Sequence, residues 1–247
     1  MNIAFIGFGK VAFNLVKLIN SPDIEFTTSD EKRSKDTVEL INEANIRVCP
    51  TFIKSIENAD IVVSANTPSK AVEVAREYGK YCNGIYLDLN NVSPKTALEI
   101  NDLVPNFVDG AIIGKIDSEN PVLYLSGSNA EKLLFLNDFL DVRVISDNVG
   151  DASNLKLLRS SYTKALSVLL VESYRLAESM NLENEFFDVL SLTEGDDFKE
   201  KSLSRINNTL KSLKRKGEEL GEILDYYDNP DLQMLETALK KLKQFEH

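Results

Sequence analysis

The residues with the clearest chemical meaning lie at the start of the chain. Gly7, Gly9 and Ala12 follow a G-x-G-x-x-A spacing. The apolar run from Ile3 to Ile6 before them predicts a buried strand, and an amphipathic helix pattern follows them. Gly7 permits the tight turn, Gly9 lets a pyrophosphate approach the backbone, and Ala12 lets the helix pack closely on the strand. The helix N-terminus adds unpaired N–H groups and partial positive charge.

This turn predicts a dinucleotide site, and the alternative is an ordinary tight turn without a ligand. The residues that we expect to hold the phosphates are Gly7, Phe8, Gly9, Lys10 and Val11.

The end of the second predicted strand bears on which dinucleotide binds. In NAD-binding folds an acid stands there and binds the ribose 2′-OH, but that position falls on Thr28 here. Ser29, Arg33 and Ser34 follow, and a guanidinium can bind a 2′-phosphate with two hydrogen bonds. We therefore predict NADP, held by these three residues, in preference to NAD. If the strand runs two residues further, Asp30 becomes an acid of the NAD type.

Composition restricts the class of protein. The net charge of −11 argues against nucleic-acid binding and against docking on anionic membranes. We expect no membrane span, since no apolar run reaches about 18 residues, and no signal peptide, since the N-terminus begins directly with a strand and no basic stretch precedes an apolar one. Cys49 and Cys82 lack metal-ligand spacing, so we expect free thiols, no metal and a cytoplasmic location. The single histidine is His247, so proton transfer must use Lys, Tyr, Asp or Glu.

Strand and helix patterns alternate through residues 1–147 and then become helical. The first part predicts a doubly wound, mostly parallel Rossmann sheet with ligands outside the carboxyl ends of the strands. Residues 148–247 predict a smaller all-α domain. Its first helix, Asp151 to Met180, is apolar over most of its circumference, which is typical of a helix with several neighbours. The further predicted helices are Glu183–Leu192, Lys199–Glu219 and Asp231–Phe245.

Three segments resemble motifs of the β-hydroxyacid dehydrogenases, in that family's order. Asp88-Leu-Asn-Asn-Val-Ser-Pro94 is similar to its D-x-[STN]-x-x-S-P segment. Phe107-Val-Asp-Gly-Ala-Ile-Ile-Gly114 is similar to the strand motif that follows, and Gly150-Asp-Ala-Ser-Asn-Leu-Lys156 to the start of the long interdomain helix. The last hundred residues resemble the 6-phosphogluconate-dehydrogenase-like subgroup, notably at Leu213-Lys-Arg-Lys-Gly-Glu-Glu219.

The resemblance implies that Lys156 is the general acid/base, taking the proton of a substrate hydroxyl while hydride leaves for the nicotinamide. It also implies that the loop Ala65, Asn66 and Thr67 lies along the cofactor. Asn90, Asn91 and Ser93 stand between a strand end and a helix start. There Asn90 can hydrogen-bond to the nicotinamide amide, and all three residues can hydrogen-bond to a substrate carboxylate. The alternative role of these residues is helix capping.

Two departures from the family make its usual small substrates unsuitable. Ile113 stands where the family has a serine, with Lys115 beyond it as a cation for an anionic substrate. Ser160 replaces an asparagine one turn after Lys156, and Arg159 and Lys164 nearby can bind a carboxylate or phosphate.

These observations predict an NADP-dependent oxidoreductase that interconverts a small hydroxy acid with its carbonyl form. The resemblance further implies a homodimer formed through the long helix and the helices after it. An imine or pyrroline-carboxylate reductase is the alternative enzyme, although it would not require Lys156. A sensor that binds NADP without catalysis is the alternative from another class.

Overall fold

The computed structural model describes residues 1–118 and 121–245, and the single histidine, His247, lies outside the described residues. The strands are β1 (Asn2–Ile6), β2 (Glu25–Ser29), β3 (Arg47–Cys49), β4 (Ile61–Ser64), β5 (Ile85–Asp88), β6 (Phe107–Ile113), β7 (Val122–Ser126) and β8 (Asp141–Ser146). The helices are α1 (Lys10–Leu18), α2 (Lys35–Ala44), α3 (Phe52–Ile56), α4 (Ala71–Tyr78), α5 (Pro94–Asn101), α6 (Asp151–Ser179), α7 (Glu183–Glu194), α8 (Phe198–Leu210), α9 (Leu213–Tyr227) and α10 (Gln233–Phe245).

The strands form one sheet in the order β3-β2-β1-β4-β5-β6-β7-β8. Every neighbouring pair is parallel except β6 and β7. The order reverses at β1, so β1 and β4 lie side by side and the loops after them face a common crevice. The predicted fold class, a doubly wound and mostly parallel sheet followed by helices, is confirmed.

The sheet is buried on both faces because its strands alternate between two apolar layers. Along β1, Ile3 and Phe5 enter the cluster that contains α1, whereas Ala4 and Ile6 enter the cluster that contains α3 and α4. Ala12 of α1 is fully buried, as the close helix–strand contact predicted from the sequence requires.

The chain separates into two compact units, one of residues 1–156 and one from Leu157 onward. The sequence placed the boundary at 147/148, nine residues earlier. The first turns of α6 belong to the first unit because Ala152 and Ser153 are hydrogen-bonded to strand residues Ser126 and Asp109.

Three helix predictions need correction. The segment predicted as one helix, Lys199–Glu219, is two helices separated at Lys211 and Ser212. The sequence pattern from Asn129 to Leu140 predicts an α-helix, but the structure has a 3-10 segment there, Ala130–Asp138. The short helix α3 was not predicted, although Thr51 caps it by accepting from the Lys54 N–H at 3.2 Å.

Burial of α6 also differs from expectation. Leu158, Tyr162, Leu169 and Leu176 recur at four- and seven-residue steps, so they share one face of the helix. Within a single chain this face, which we call the α6 stripe, is exposed. Only the other sides of the helix contribute to the core of the helical unit, through residues such as Val168, Leu170 and Val171. Within the described residues, no helix combines the length and apolar character needed to cross a bilayer.

Candidate dinucleotide and active site

The turn after β1 requires glycine at Gly7. Its φ is +90°, and a Cβ there would lie 2.5 Å from Asn66 Oδ1 and 2.6 Å from the Ala65 carbonyl oxygen. Asn66 Nδ2 donates to the Ile6 carbonyl at 2.7 Å, which ties the loop after β4 to the end of β1. Gly7 therefore serves the fold, by letting the two loops at the strand-order reversal approach each other.

Gly9 differs because no protein atom requires it to be glycine. It has an extended backbone at the N-cap of α1, and a Cβ built on it would meet nothing within 4 Å. The space in front of it is bounded by the free N–H groups that begin a helix, where a phosphate binds favourably. Its small size leaves a cradle that an alanine side chain would fill.

These loops line a cleft of about 380 Å³ at the carboxyl ends of the strands. It brings together nine of the predicted cofactor residues: Gly7, Phe8, Gly9, Lys10, Val11, Arg33, Ala65, Asn66 and Thr67. The lining also includes Thr37, Lys70 and Leu89, which sequence reasoning did not single out. Leu89 follows a strand and Thr37 lies in the first turn of a helix, so their positions in the sequence could have indicated that they line the cleft. No feature of the sequence indicated this for Lys70.

Arg33 is held in this cleft by an aromatic contact. Its guanidinium carbon lies 4.5 Å from the centroid of the Phe52 ring, and Phe52 is buried at the start of α3. Its Nε is buried without a hydrogen-bond partner among the described residues. A buried donor without a partner is costly, so a ligand acceptor at this position would be stabilising.

The neighbouring hydroxyls have different positions. Ser29 is fully buried, and its Oγ accepts from the Glu31 N–H at 3.2 Å. Ser34 is exposed and caps α2, with its Oγ 3.3 Å from the Thr37 nitrogen. Because Ser29 is buried, its side chain is not accessible to act as the predicted phosphate ligand. Thr28, also buried, donates to the Phe5 carbonyl at 3.0 Å.

Asn90 holds the loops together rather than facing the cleft. Its Nδ2 donates to Ser64 Oγ at 2.7 Å and to Asp88 Oδ2 at 2.5 Å, and its Oδ1 accepts from the Asn66 N–H. The residue is 2% exposed, so both amide hydrogens and the oxygen are engaged inside the protein. The side chain of Asn90 is therefore not accessible for the predicted direct contact with nicotinamide or substrate.

The other predicted substrate residues of the first unit are more exposed. Asn91 is exposed with φ of +59°, and Ser93 caps α5 by accepting from the Thr96 N–H at 3.2 Å. The exposed Lys115 follows β6, and two residues later Asp117 pairs with Lys10 at 2.6 Å. This pair lowers the pKa of Asp117, but at such exposure it contributes little stability. The cleft does not include these substrate residues.

Lys156 is positioned by a buried carboxylate at the N-terminus of α6. Asp109 of β6 accepts from the Ser153 N–H at 2.9 Å and from Ser153 Oγ at 2.7 Å, and Ser126 Oγ donates to it at 3.3 Å. Negative charge at a helix N-terminus is stabilising. Lys156 lies three residues after Ser153 and thus on the same side of α6, where it is half-buried. Ser160 follows one turn later, in the helical unit.

Two buried acids face each other across β5 and β6, where Asp88 and Asp109 are paired in register. Burial raises the pKa of Asp88 to about 7, with a contribution from the charge on Asp109, while the hydrogen bonds from Asn90 oppose the shift. Burial also raises the pKa of Asp109, against the hydrogen bonds from Ser153.

The raised pKa of Asp88 predicts a pH-dependent stability. Between about pH 4 and pH 7 the folded protein retains a proton that the unfolded chain releases, so this group's contribution to stability falls as pH rises. We expect Asp88→Asn to remove that fall. The free energy of unfolding of wild type relative to the variant should drop by on the order of 1–3 kcal/mol between pH 5 and pH 8. Urea unfolding at both pH values measures it, and a constant difference would contradict it.

Comparison with known proteins places this geometry in a family. A protein of 28.5 kDa from Methanothermus fervidus, described as uncharacterized, is 37% identical over 250 residues, covering 100% of this chain and 98% of its own. A conserved protein of unknown function, whose structure is described as similar to 3-hydroxyacid dehydrogenases, is 34% identical. The match covers 100% of this chain and 97% of the other chain, with a TM-score of 0.88. The chain belongs to this 3-hydroxyacid-dehydrogenase-like family.

More distant matches bear on the fold alone. The 3-hydroxyisobutyrate dehydrogenase of Mycobacterium tuberculosis, solved with L-serine, has a TM-score of 0.79 at 15% identity, covering 99% of this chain and 93% of its own. Imine reductases share the fold as well. Residues 2–91 match the family model described as NADP oxidoreductase coenzyme F420-dependent, which covers the glycine turn, Arg33, Asn66 and Asn90. The resemblance to β-hydroxyacid dehydrogenases predicted from the motifs is confirmed.

Proposed function

We propose that the protein is an NADP-dependent oxidoreductase that interconverts a small anionic hydroxy acid and its carbonyl form. The observation that carries the proposal is the cleft itself. An open cradle at Gly9 faces a helix N-terminus, and the same cleft contains a guanidinium whose buried Nε has no partner among the described residues. Both features fit a dinucleotide: the cradle takes its pyrophosphate, and Arg33 takes an anionic group beyond it.

NADP is favoured over NAD by what surrounds Arg33. The guanidinium rests on Phe52, and the hydroxyls of Ser34 and Thr37 lie at the adjoining start of α2, where the helix N-terminus is also available. A 2′-phosphate would meet two hydroxyls, a guanidinium and a helix dipole. Asp30 is the competing NAD-type acid. It is exposed directly after β2, and its carbonyl accepts from the Arg33 N–H.

Arg33→Ala is expected to erase a preference for NADPH over NADH. Loss of one charge-assisted phosphate contact should weaken NADPH binding roughly 10- to 150-fold. NADH affinity should change little, because NADH has no 2′-phosphate. Nicotinamide fluorescence titrations of both cofactors measure the two effects.

The matched control is Arg76→Ala, which removes an exposed arginine of the same unit, paired with Glu99. It should leave both affinities unchanged. Equal NADH and NADPH binding by wild type would instead identify Asp30 as the ribose ligand and NAD as the cofactor.

The protein's residues divide the chemical work in our proposal. A dinucleotide held in the cleft would supply the hydride acceptor for the alcohol carbon. Lys156 takes the hydroxyl proton as a general base, and in the reverse direction it returns that proton to the alkoxide oxygen. Asn90, held by Asp88, fixes the Asn66 loop against the end of β1 and is a positioning residue. Asp109 fixes the start of α6 and hence the position of Lys156. We propose Asn91, Ser93, Lys115 and Ser160 as substrate contacts.

A homodimer through the α6 stripe is part of the proposal. The exposed side chains Leu158, Tyr162, Leu169 and Leu176 form one continuous apolar face, which a second copy can cover. The neighbouring helix α7 exposes Val189 and Leu192 as well.

Leu169→Glu and Leu176→Glu are each expected to convert the dimer into a monomer, since a dimer interface would bury the new carboxylate without a partner. Light scattering coupled to size exclusion measures the mass at micromolar concentration. The control is Leu98→Glu, an equally exposed leucine on α5 of the first unit. A wild type with the mass of one chain would contradict the dimer.

An imine reductase is the alternative enzyme, because it shares the fold, and an NADP-binding sensor is the non-catalytic alternative. Ile113 and Ser160, which stand where the resembling family has serine and asparagine, favour either alternative. Screening hydroxy acids and cyclic imines side by side separates them. Both described cysteines are buried and free, and we propose a reducing, cytoplasmic setting.

A further inference from the structure

The helical unit concentrates positive charge on a chain that is strongly acidic overall. Two adjoining cavities of about 590 and 750 Å³ share Asn208 and Lys216. Together they are lined by seven cationic side chains and three carboxylates, although the whole chain carries a net charge of −11. The cations are Arg159, Lys201, Arg205, Lys211, Lys214, Arg215 and Lys216.

The centre of this region has too few anions for its cations. Lys164 is 7% exposed and pairs with Glu219 at 2.9 Å, and its ammonium also donates to Ser160 Oγ. Arg215 shares the same carboxylate, with its Nε 3.6 Å from Glu219 Oε1. Lys216 lies within electrostatic reach of Lys164, Arg205 and Arg215, and neither Lys216 nor Arg205 has an ion-pair partner among residues 1–118 and 121–245. Three cations, Lys164, Arg215 and Lys216, thus lie within electrostatic reach of Glu219, and Arg205 adds a fourth positive charge near Lys216.

Physical consequences of this imbalance are visible at Lys216. Its pKa is lowered, first by burial and then by the charge on Lys164, and Glu219 only partly opposes the shift. Like charges held together in a half-buried place repel one another, and an added anion relieves that repulsion.

We propose that Arg159, Arg205 and Lys216, with Lys164 behind them, form a binding site for a small, multiply charged oxyanion bearing phosphate or carboxylate groups. These three cations come from α6, α8 and α9, so they surround one cavity rather than follow one exposed face. The same cavity presents the hydroxyls of Thr163, Ser167 and Ser204, which suit the neutral oxygens of a polyhydroxylated ligand. This site lies entirely within the helical unit and does not depend on the proposed redox function.

Calorimetric titration of the full-length protein with pyrophosphate, and separately with citrate, tests the site. We expect saturable binding of one anion per chain. Arg205→Gln and Lys216→Gln should each weaken it roughly 10-fold or more, since each removes a charge-assisted contact. Glu219→Gln should tighten binding, because it removes a carboxylate that neutralises part of the positive charge of Lys164, Arg215 and Lys216. A merely structural role for these residues would not produce that tightening. Thermal unfolding of each variant verifies that it is folded.

Two controls make the outcome decisive. Lys240→Gln makes the same change of charge at an exposed position of α10 and should retain wild-type affinity for the anion. Gly9→Ala should also retain wild-type affinity for the anion, because Gly9 belongs to the dinucleotide cleft. Failure of the anion proposal can therefore be told apart from failure of the proposed redox function. No binding at millimolar anion, equal weakening in Lys240→Gln, or full affinity in both Arg205→Gln and Lys216→Gln would overturn the proposal. Binding of pyrophosphate but not citrate would identify phosphate compounds as the ligand class. Binding of both anions would extend that class to polycarboxylates.

Discussion

Gly9→Ala is expected to abolish dinucleotide binding while leaving the fold intact. A Cβ at Gly9 meets no protein atom within 4 Å, and the backbone there is extended, so the free energy of unfolding should change by no more than about 0.5 kcal/mol. The methyl group would occupy the space in front of the α1 N-terminus that a pyrophosphate needs. Loss of several phosphate contacts there should weaken NADPH binding by at least about 100-fold.

Gly7→Ala is the matched variant, two residues away in the same turn, with the opposite consequence. Its Cβ would lie 2.6 Å from the Ala65 carbonyl oxygen, and φ of +90° is unfavourable for alanine. We expect a loss of more than about 2 kcal/mol in the free energy of unfolding. Urea unfolding and NADPH fluorescence on both variants complete the comparison. Wild-type NADPH affinity in Gly9→Ala would show that the turn is not the phosphate site.

Lys156→Ala is expected to remove turnover while preserving cofactor affinity. A positioned general acid/base contributes about 10²- to 10⁴-fold to rate, so kcat should fall by that factor on whichever hydroxy acid the wild type oxidises. NADPH affinity should stay within about 3-fold, because the glycine cleft does not include Lys156. The separation of the two readouts distinguishes a catalytic residue from one that merely supports α6.

The controls for this prediction use two further variants. Lys156→Arg keeps the positive charge but cannot release a proton near neutral pH, so it should be nearly as inactive as the alanine variant. Lys132→Ala removes an exposed lysine of the first unit, bonded to Asn129, and should keep full activity. Unchanged turnover in Lys156→Ala would assign the chemistry to another group and favour the imine-reductase alternative.

Local patterns sufficed for the parts of this protein that depend on short-range rules. The apolar run of β1 and the small residues after it predicted the strand, the turn and the helix. The φ of +90° at Gly7 is unfavourable for any residue with a side chain, and a parallel strand buried on both faces is apolar throughout. Charge and composition, being sums over residues, needed no structure.

Tertiary structure decided which of the polar side chains face the cleft. Ser29 and Asn90 have suitable chemistry and stand at strand ends, yet both are buried with their polar groups engaged. Arg33 faces the cleft because Phe52, 19 positions further along the chain, supplies its platform. Such pairings depend on the order of strands in the sheet, which no local pattern contains.

Contacts between distant segments also determine the surroundings of Lys156 and of the proposed anion site. Asp109 reaches the N-terminus of α6 across 44 residues and fixes the start of the helix that carries Lys156. The cations of α6, α8 and α9 are ordinary surface charges in the sequence and become a cluster only when those helices pack together. The sequence therefore determined the fold class and the glycine turn after β1, because their rules act over a few residues. Only the packed structure decided the electrostatic environment, because charges interact through space and not along the chain.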